Sequence, residues 1–442
     1  VNTLWPYLLI DYVLVLSAIL LTRRVLSLWH PFTCYLFFHI YTCTVRGTLL
    51  YFGARQVHEG LKNREVTSPE EIIRAIQYLD IALVAFLVGV LLAHRKFSRT
   101  DRNAITSTVL SKSSYNWILY TCMPIGLLAF ASQRLGLITE FQGHLAMVAF
   151  WPIACLCMGV FFFGFRLVLL APIFAYLSVV ALQGYHRFMT IFPLFFLYSI
   201  FLQRSNRKWP GVAGVAACIV GFLIFPELKY VGREFQRDGF YAAMERAAEG
   251  FKLKRDQERI EDLLDQLGGA LTLIDKHKKI YFGQTYLYIF AMPIPRAWWP
   301  EKPAINQHVA DFSTPRRPYS QEGRVISLCG ESYANFRLPG VIVIPMILGY
   351  ALTVWCLHAN FGPFRTLRRY CYLVIMVTFI QVYRDGLSSF AMFGLFQNVP
   401  MLVLVGFHLV SPPLTSTDYP LVPRPAVARQ PNPRLLTPSQ KP

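Results

Sequence analysis

Lys302, His308, Asp311, Arg316, Arg317, Glu322, Arg324, Glu331 and Arg337 crowd one segment, 294–340, that sits between long apolar runs. Carboxylates and an imidazole in such a place are candidates for general acid–base chemistry. Proton transfer asks for one of them near a reacting hydroxyl, with its pKa tuned by burial or by neighbouring charge. Glu331, Glu322, Asp311 and His308 qualify by type, as does Asp385 beside Arg384. Spacing alone does not choose among them. Glu331 is preferred, because Tyr333 and Asn335 follow it just before the chain enters the next apolar run, whereas His308 reads as an ordinary loop histidine.

A second group of residues is cationic. Arg187 opens an apolar run in LQGYHRFMTIFPL, Arg384 closes another in QVYRDGL, and Arg233 and Arg237 follow a third in KYVGREFQRDG. Under the orientation derived below, all lie at outer helix ends, where the usual charge bias works against them. Ionisable groups at such depths commonly face a cavity or a partner, although a snorkelling arginine that anchors a helix end is the simpler alternative. A guanidinium stays charged when desolvated and binds phosphate bidentately. Helix ends converging on one face therefore favour an outward-facing cationic pocket, suited to a lipid-linked diphosphate. Trp298 and Trp299 have the shape to stack on sugar rings, but the interfacial aromatic belt is the preferred reading.

The elements that must hold these residues are membrane helices. The chain of 442 residues is 54% hydrophobic and only 15% charged, with a mean hydropathy of +0.40. Apolar runs of roughly 17–22 residues recur, long enough as helices to cross the hydrocarbon core. Lipid leaves backbone groups no partner but each other, so helices are expected, and the alternation of an outer-membrane barrel is missing. The expectation is an all-α polytopic membrane protein with about eleven spans, near 4–21, 32–52, 78–93, 116–133, 145–164, 167–183, 188–202, 210–226, 339–358, 370–383 and 390–411. The organisation is then helices 1–8 over 1–226, a large outer loop over 227–338, helices 9–11 over 339–411, and a proline-rich tail over 412–442 that reads as disordered.

Basic clusters set the orientation. Arg23 and Arg24, the group from Arg95 to Lys112, Arg204 with Arg207 and Lys208, and Arg365 with Arg368 and Arg369 all fall on one side under this span list. The positive-inside rule makes that side cytoplasmic, the N-terminus outside and the tail inside. The first apolar run lacks a basic leader and a small-residue cleavage site, so it reads as a retained helix. The net charge of +18 is thus mainly a topology signal; no basic stripe with interleaved aromatics points to nucleic acid. Cysteines lie mostly in apolar runs, with Cys329 by itself in the outer loop, and neither a disulfide framework nor a CxxC pair is present.

Two outer segments carry structure. SPEEIIRAI starts a helix, with Ser68 as cap and Pro69 at the first position. In the large loop, Phe240, Met244, Ala247, Ala248 and Phe251 and then Ile260, Leu263, Leu264 and Leu267 recur at helical steps, and Gly268-Gly269 is expected to end the pattern. Prolines from Pro293 to Pro318 forbid long helix thereafter. There is no internal repeat, P-loop, GxGxxG, HExxH or GxSxG.

PIPRAWWPEKP, followed about thirty residues later by GESYANFRLPGVIVIPMILG, resembles the Wzy-type oligosaccharide repeat-unit (O-antigen and exopolysaccharide) polymerases. The matching positions are Pro295, Arg296, Trp299, Pro300, Lys302 and Pro303, then Gly330, Glu331, Tyr333, Asn335, Phe336 and Gly340. The family's glycine after the phenylalanine is Arg337 here, a departure expected to alter the turn into the next helix. The specific match covers about fifty residues; elsewhere the likeness is one of layout.

The resemblance implies a glycosyltransferase of the bacterial inner membrane with its site facing the periplasm. Its donor would be an undecaprenyl-diphosphate-linked glycan, and its acceptor a second lipid-linked repeat unit. No cofactor and no metal are expected. It assigns Arg187, Arg233 and Arg384 to the diphosphates, Glu331 to the acceptor hydroxyl as base or orienter, and Arg296, Lys302, Arg316 and Arg317 to glycan or diphosphate, with Tyr333 and Asn335 at the substrate. Membrane lipids, a chain-length regulator and a flippase are the partners it admits. An O-antigen ligase sharing the lipid donor, and a flippase or transporter of lipid-linked sugars, are the rival readings.

Overall fold

The computed structural model describes residues 2–52, 68–97, 110–135, 145, 147–182, 188–212, 214, 216, 239, 241, 263–291, 294, 298–301, 326–360 and 365–410. These residues are helical throughout, joined by short turns, with no strand among them. In order they form α1 (Trp5–Thr22), α2 (Pro31–His39), a π-helical stretch (Ile40–Val45), α3 (Arg46–Tyr51), α4 (Pro69–Phe97), α5 (Lys112–Arg134), α6 (Trp151–Phe163) and α7 (Leu167–Leu182). Then come α8 (Phe188–Arg204), α9 (Leu263–His277), α10 (Gln284–Ala291), α11 (Ser327–Asn360), α12 (Leu367–Asp385) and α13 (Val399–Val410).

By length and composition α1, α4 and α11 can each cross a membrane, and α6, Leu167–Val180, Thr190–Arg204 and Phe393–Phe407 are shorter apolar helices. Helix occupies every hydropathy window expected from the sequence except 210–226, most of which lies outside the described residues. The packing of α1 shows what solvent it suits. Leu8, Asp11, Val15, Ala18 and Thr22 are buried at three- and four-residue steps, while Leu9, Ile10, Val13, Leu16, Leu20 and Leu21 are exposed. A helix that turns its one carboxylate inward and most of its leucines outward is built for hydrocarbon.

The helix start expected at Ser68 is present, and it is reciprocal. The Glu71 N–H donates to Ser68 Oγ at 3.3 Å, and the Ser68 N–H donates to Glu71 Oε2 at 2.9 Å, a capping box. From there α4 runs unbroken to Phe97 and crosses α11 at close range. A methyl group on Gly89 would collide with the backbone of Met346, and one on Gly349 with that of Phe86. Small residues facing each other in this way let two membrane helices gain dispersion contact between backbones.

The expected stop at Gly268-Gly269 does not occur. α9 continues through both glycines to His277, and Gly268 rests against the Glu71 carbonyl of α4, leaving no room for a Cβ. Tertiary contact therefore overrides the local helix-breaking tendency. The periodic stretch from Met244 to Phe251 lies outside the described residues. So α9 and the first turns of α11, both from the 227–338 segment, are folded onto α4 and the α2–α3 region, while α10 packs on α11 and on the Leu387–Ser389 turn.

Candidate functional site: a hub around Glu331

Glu331 sits in the second turn of α11 with 0% exposure. Its carboxylate ties three segments together. Oε1 accepts from Thr285 Oγ1 of α10 at 2.9 Å and from the Ser388 N–H at 3.3 Å, and Oε2 accepts from the Leu387 N–H. The two N–H groups open a short 3-10 turn, Leu387–Ser389, so the carboxylate sits where unpaired helix-start donors converge. Gly386, with φ of 99°, makes that approach possible, because a side chain there would strike the Glu331 carboxylate.

Asn335, one turn further along α11 and also 0% exposed, completes the lacing. Its Nδ2 donates to Thr285 Oγ1 at 2.7 Å and to the Glu331 carbonyl at 2.9 Å, and its Oδ1 accepts from the Gly283 N–H at 2.9 Å. Backbone bonds from the Tyr281 and Phe282 N–H groups to the Ala334 and Asn335 carbonyls dock the same turn on α11. Glu331 and Asn335 thus spend their polar atoms on the protein itself, and fix α10 and the end of α12 to α11.

A second, charged node lies alongside. Asp275 of α9 receives Arg74 of α4, Arg337 Nη1 at 2.9 Å and the Tyr333 hydroxyl at 2.7 Å. Arg74 also donates to Tyr333 Oη at 2.8 Å, and both guanidiniums lie over the Tyr333 ring, at 5.5 and 5.4 Å. Burial alone would raise the Asp275 carboxyl; the hydrogen bonds from Tyr333 and Arg74 and the two guanidinium charges outweigh it and hold it below the usual carboxylate range. Two cations share one anion, so this partly exposed node is net positive.

Arg337 is also where the backbone breaks. Its φ of 57° and ψ of −149° interrupt α11, in a region that only glycine occupies without strain. The side chain holds the kink by donating to Asp275 and to the Ile274 and Lys279 carbonyls at 3.3 Å.

Comparison with protein-family models, curated proteins and solved structures finds no match to this chain. The site stands on its own geometry.

Of the residues singled out by sequence, Glu331, Tyr333 and Asn335 come together in these two nodes. Arg384 stands in the last turn of α12, 3.6 Å from Asp385 and two residues before the Gly386 turn that Glu331 holds. Arg187, Arg233, Arg237, Arg296, Lys302, His308, Asp311, Arg316, Arg317, Glu322 and Arg324 lie outside the described residues. Trp298 is 81% exposed, and Trp299, Leu287 and Phe290 are exposed near it in sequence. Cys329, expected to stand alone in the outer loop, is buried in α11.

Arg74, Asp275 and Thr285 were missed by sequence reasoning. No local signal marked any of the three: Arg74 lies on the polar side of its helix, away from Ile72, Ala75, Ile76 and Leu79. A small apolar cavity of about 30 Å³, lined by Phe150, Cys157, Phe196, Tyr370, Thr378 and Asn398, brings no carboxylate, imidazole or guanidinium together. The described His, Cys, Asp and Glu side chains that reach metal-ligand spacing lie elsewhere, at Asp11, His39, Cys43 and Asp80.

Proposed function

We propose that this protein polymerises undecaprenyl-diphosphate-linked oligosaccharide repeat units at the periplasmic face of a bacterial inner membrane, releasing undecaprenyl diphosphate. The observation that carries this reading is the hub. Glu331 and Asn335, from the segment on which the polymerase resemblance rests, are the residues that lace α10, α11 and the end of α12 together. The backbone adds support: where the family has glycine, Arg337 occupies a glycine-type conformation. About eleven spans, an outer N-terminus and an inner tail belong to the same proposal.

In the reaction, an acceptor hydroxyl attacks the anomeric carbon of the donor. The bond from that carbon to the diphosphate oxygen breaks, its electron pair leaves with undecaprenyl diphosphate, and the hydroxyl proton passes to a base. Negative charge grows on the leaving group, so guanidiniums fixed there lower the barrier. Arg384 is assigned to this task with Arg187 and Arg233, while Arg296, Lys302, Arg316 and Arg317 hold glycan or diphosphate. Glu331 acts as a positioning residue: it has no exposed surface, and its oxygens are engaged in orienting the turn next to Arg384. Tyr333 and Asn335 act in the same way, through the nodes they build.

The test is the length distribution of the host's surface polysaccharide with and without the gene. Deletion should leave single repeat units attached and abolish the long ladder, and Arg384→Ala in the complementing copy should do the same. Total loss of the glycan would favour export or assembly instead, and an unchanged ladder would remove the reading altogether. Full activity in all three variants Arg187→Ala, Arg233→Ala and Arg384→Ala would sink the diphosphate pocket.

A further inference from the structure

Asp11 of α1, His39 at the end of α2, Cys43 of the π-helical stretch and Asp80 of α4 converge inside the bundle. One ligand atom from each lies within 4.8 Å of all the others, and all four residues are buried. His39 Nε2 faces both carboxylates, at 2.7 Å from Asp11 Oδ1 and 3.5 Å from Asp80 Oδ1. Even so, Asp11 Oδ2, Asp80 Oδ1 and His39 Nδ1 have no hydrogen-bond partner. From these observations we propose that the four side chains form a binding site for one divalent transition-metal ion, with Zn²⁺ the best fit.

Charge is the first reason. Two carboxylates face one imidazole among Leu8, Ile76 and Leu79, so with both carboxylates ionised the cluster is anionic in either form of His39. The guanidinium further along the same helical run, Arg46, is engaged by Asp265 at 2.6 Å. An unbalanced buried charge is costly, and within apolar helices it marks a site for a cation.

The donor set is the second reason. One nitrogen, one sulfur and two oxygens make a four-coordinate shell of the mixed kind that Zn²⁺ accepts. Mg²⁺ and Ca²⁺ ask for six or more oxygens and are poorly served here. A tetrahedral zinc shell spaces its ligand atoms about 3.3–3.8 Å apart. The widest pair would therefore close by about 1 Å, and His39 Nε2 and Asp11 Oδ1 would move apart slightly, both within reach of side-chain rotation. Binding displaces the Cys43 thiol proton to solvent, because the thiolate is the ligand, and three anionic ligands around a dication leave the loaded site with one net negative charge.

The backbone is the third reason. His39 and Cys43 are four residues apart on one helical run, and that run turns π-helical immediately after His39. π-helical turns are uncommon and cluster at functional positions. Four protein ligands close the coordination shell, so the ion would staple α1, the α2–α3 run and α4 rather than activate a substrate. This inference does not depend on the polymerase reading.

The test uses the full-length protein, purified in detergent without a polyhistidine tag, loaded with Zn²⁺ or Co²⁺ and freed of excess metal. The expected result is about one equivalent retained per chain, a thiolate-to-cobalt charge-transfer band in the near ultraviolet, and a higher thermal midpoint with Zn²⁺ than after chelation. Cys43→Ser should abolish the charge-transfer band, and His39→Ala should reduce retained metal several-fold. A folded wild-type protein that retains neither ion and shows no band would overturn the site, whatever the variants do. Equal retention in wild type and both variants would overturn it as well, since the metal would then sit elsewhere.

Discussion

At the scale of single residues, the hub is a matter of unmet hydrogen bonds. Glu331→Ala would leave the Leu387 and Ser388 N–H groups and the Thr285 hydroxyl without their acceptor. Each buried orphan costs about 1–3 kcal/mol, so the thermal midpoint in detergent should fall sharply. Glu331→Gln keeps the volume but turns an amide NH₂ toward backbone donors, and should fall in between. A Glu331→Ala protein as stable as wild type would show that the carboxylate holds nothing. Asp275 makes a different prediction, about pH. Its folded pKa is depressed below 3.8, so its contribution to stability is present above that range and is lost as pH falls through the lower folded value. Between about pH 5 and pH 3 the wild type should lose midpoint more steeply than Asp275→Asn. Near neutrality neither protein should show a slope from this group. The effect is small, because Asp275, Arg74 and Arg337 are all partly exposed.

At the scale of elements, the break in α11 is the feature to probe. Arg337 carries a strained backbone and, through its side chain, the contacts that hold the kink to α9. Arg337→Ala keeps the strain and loses the contacts. Arg337→Gly loses the same contacts and removes strain of about 1–3 kcal/mol, so it should be the more stable variant by thermal midpoint. If alanine proves the better replacement, the kink is not strained. The elements also show where local signals end. The Ser68–Glu71 box was legible because caps act within one turn. The run through Gly268-Gly269 was not, because the reason for those glycines is the Glu71 carbonyl, some two hundred residues earlier in the chain.

At the scale of the whole molecule, the claim open to test is orientation. Basic clusters at 23–24, 95–112, 204–208 and 365–369 should lie in the cytoplasm, and the segment around Trp298 outside. Reporter fusions after residues near 100 and 300 should give opposite compartment signals, and the same compartment for both would overturn the span order. The described bundle agrees with a lipid environment at α1, whose leucine face is exposed and whose carboxylate is turned inward. The residues that then meet come from distant parts of the chain: Asp11, His39 and Asp80 in a buried cluster, Arg74, Asp275 and Tyr333 in a partly exposed one.

The sequence by itself determined the helical class, the apolar windows and the Ser68 cap, and it singled out Glu331, Tyr333 and Asn335. These follow from hydropathy, from capping chemistry and from residue types that act within a few positions of each other. Only the tertiary structure decided what those residues do. Asp11, His39 and Asp80 stand far apart in the sequence, with no shared motif, and only the packing of α1, α2 and α4 brings their ligand atoms within 4.8 Å of one another. Glu331 looked like an open acid–base group until α10 and the turn after α12 closed over it. Hydropathy says that a charge inside a membrane bundle must find a partner; which partner is settled only by how the helices cross.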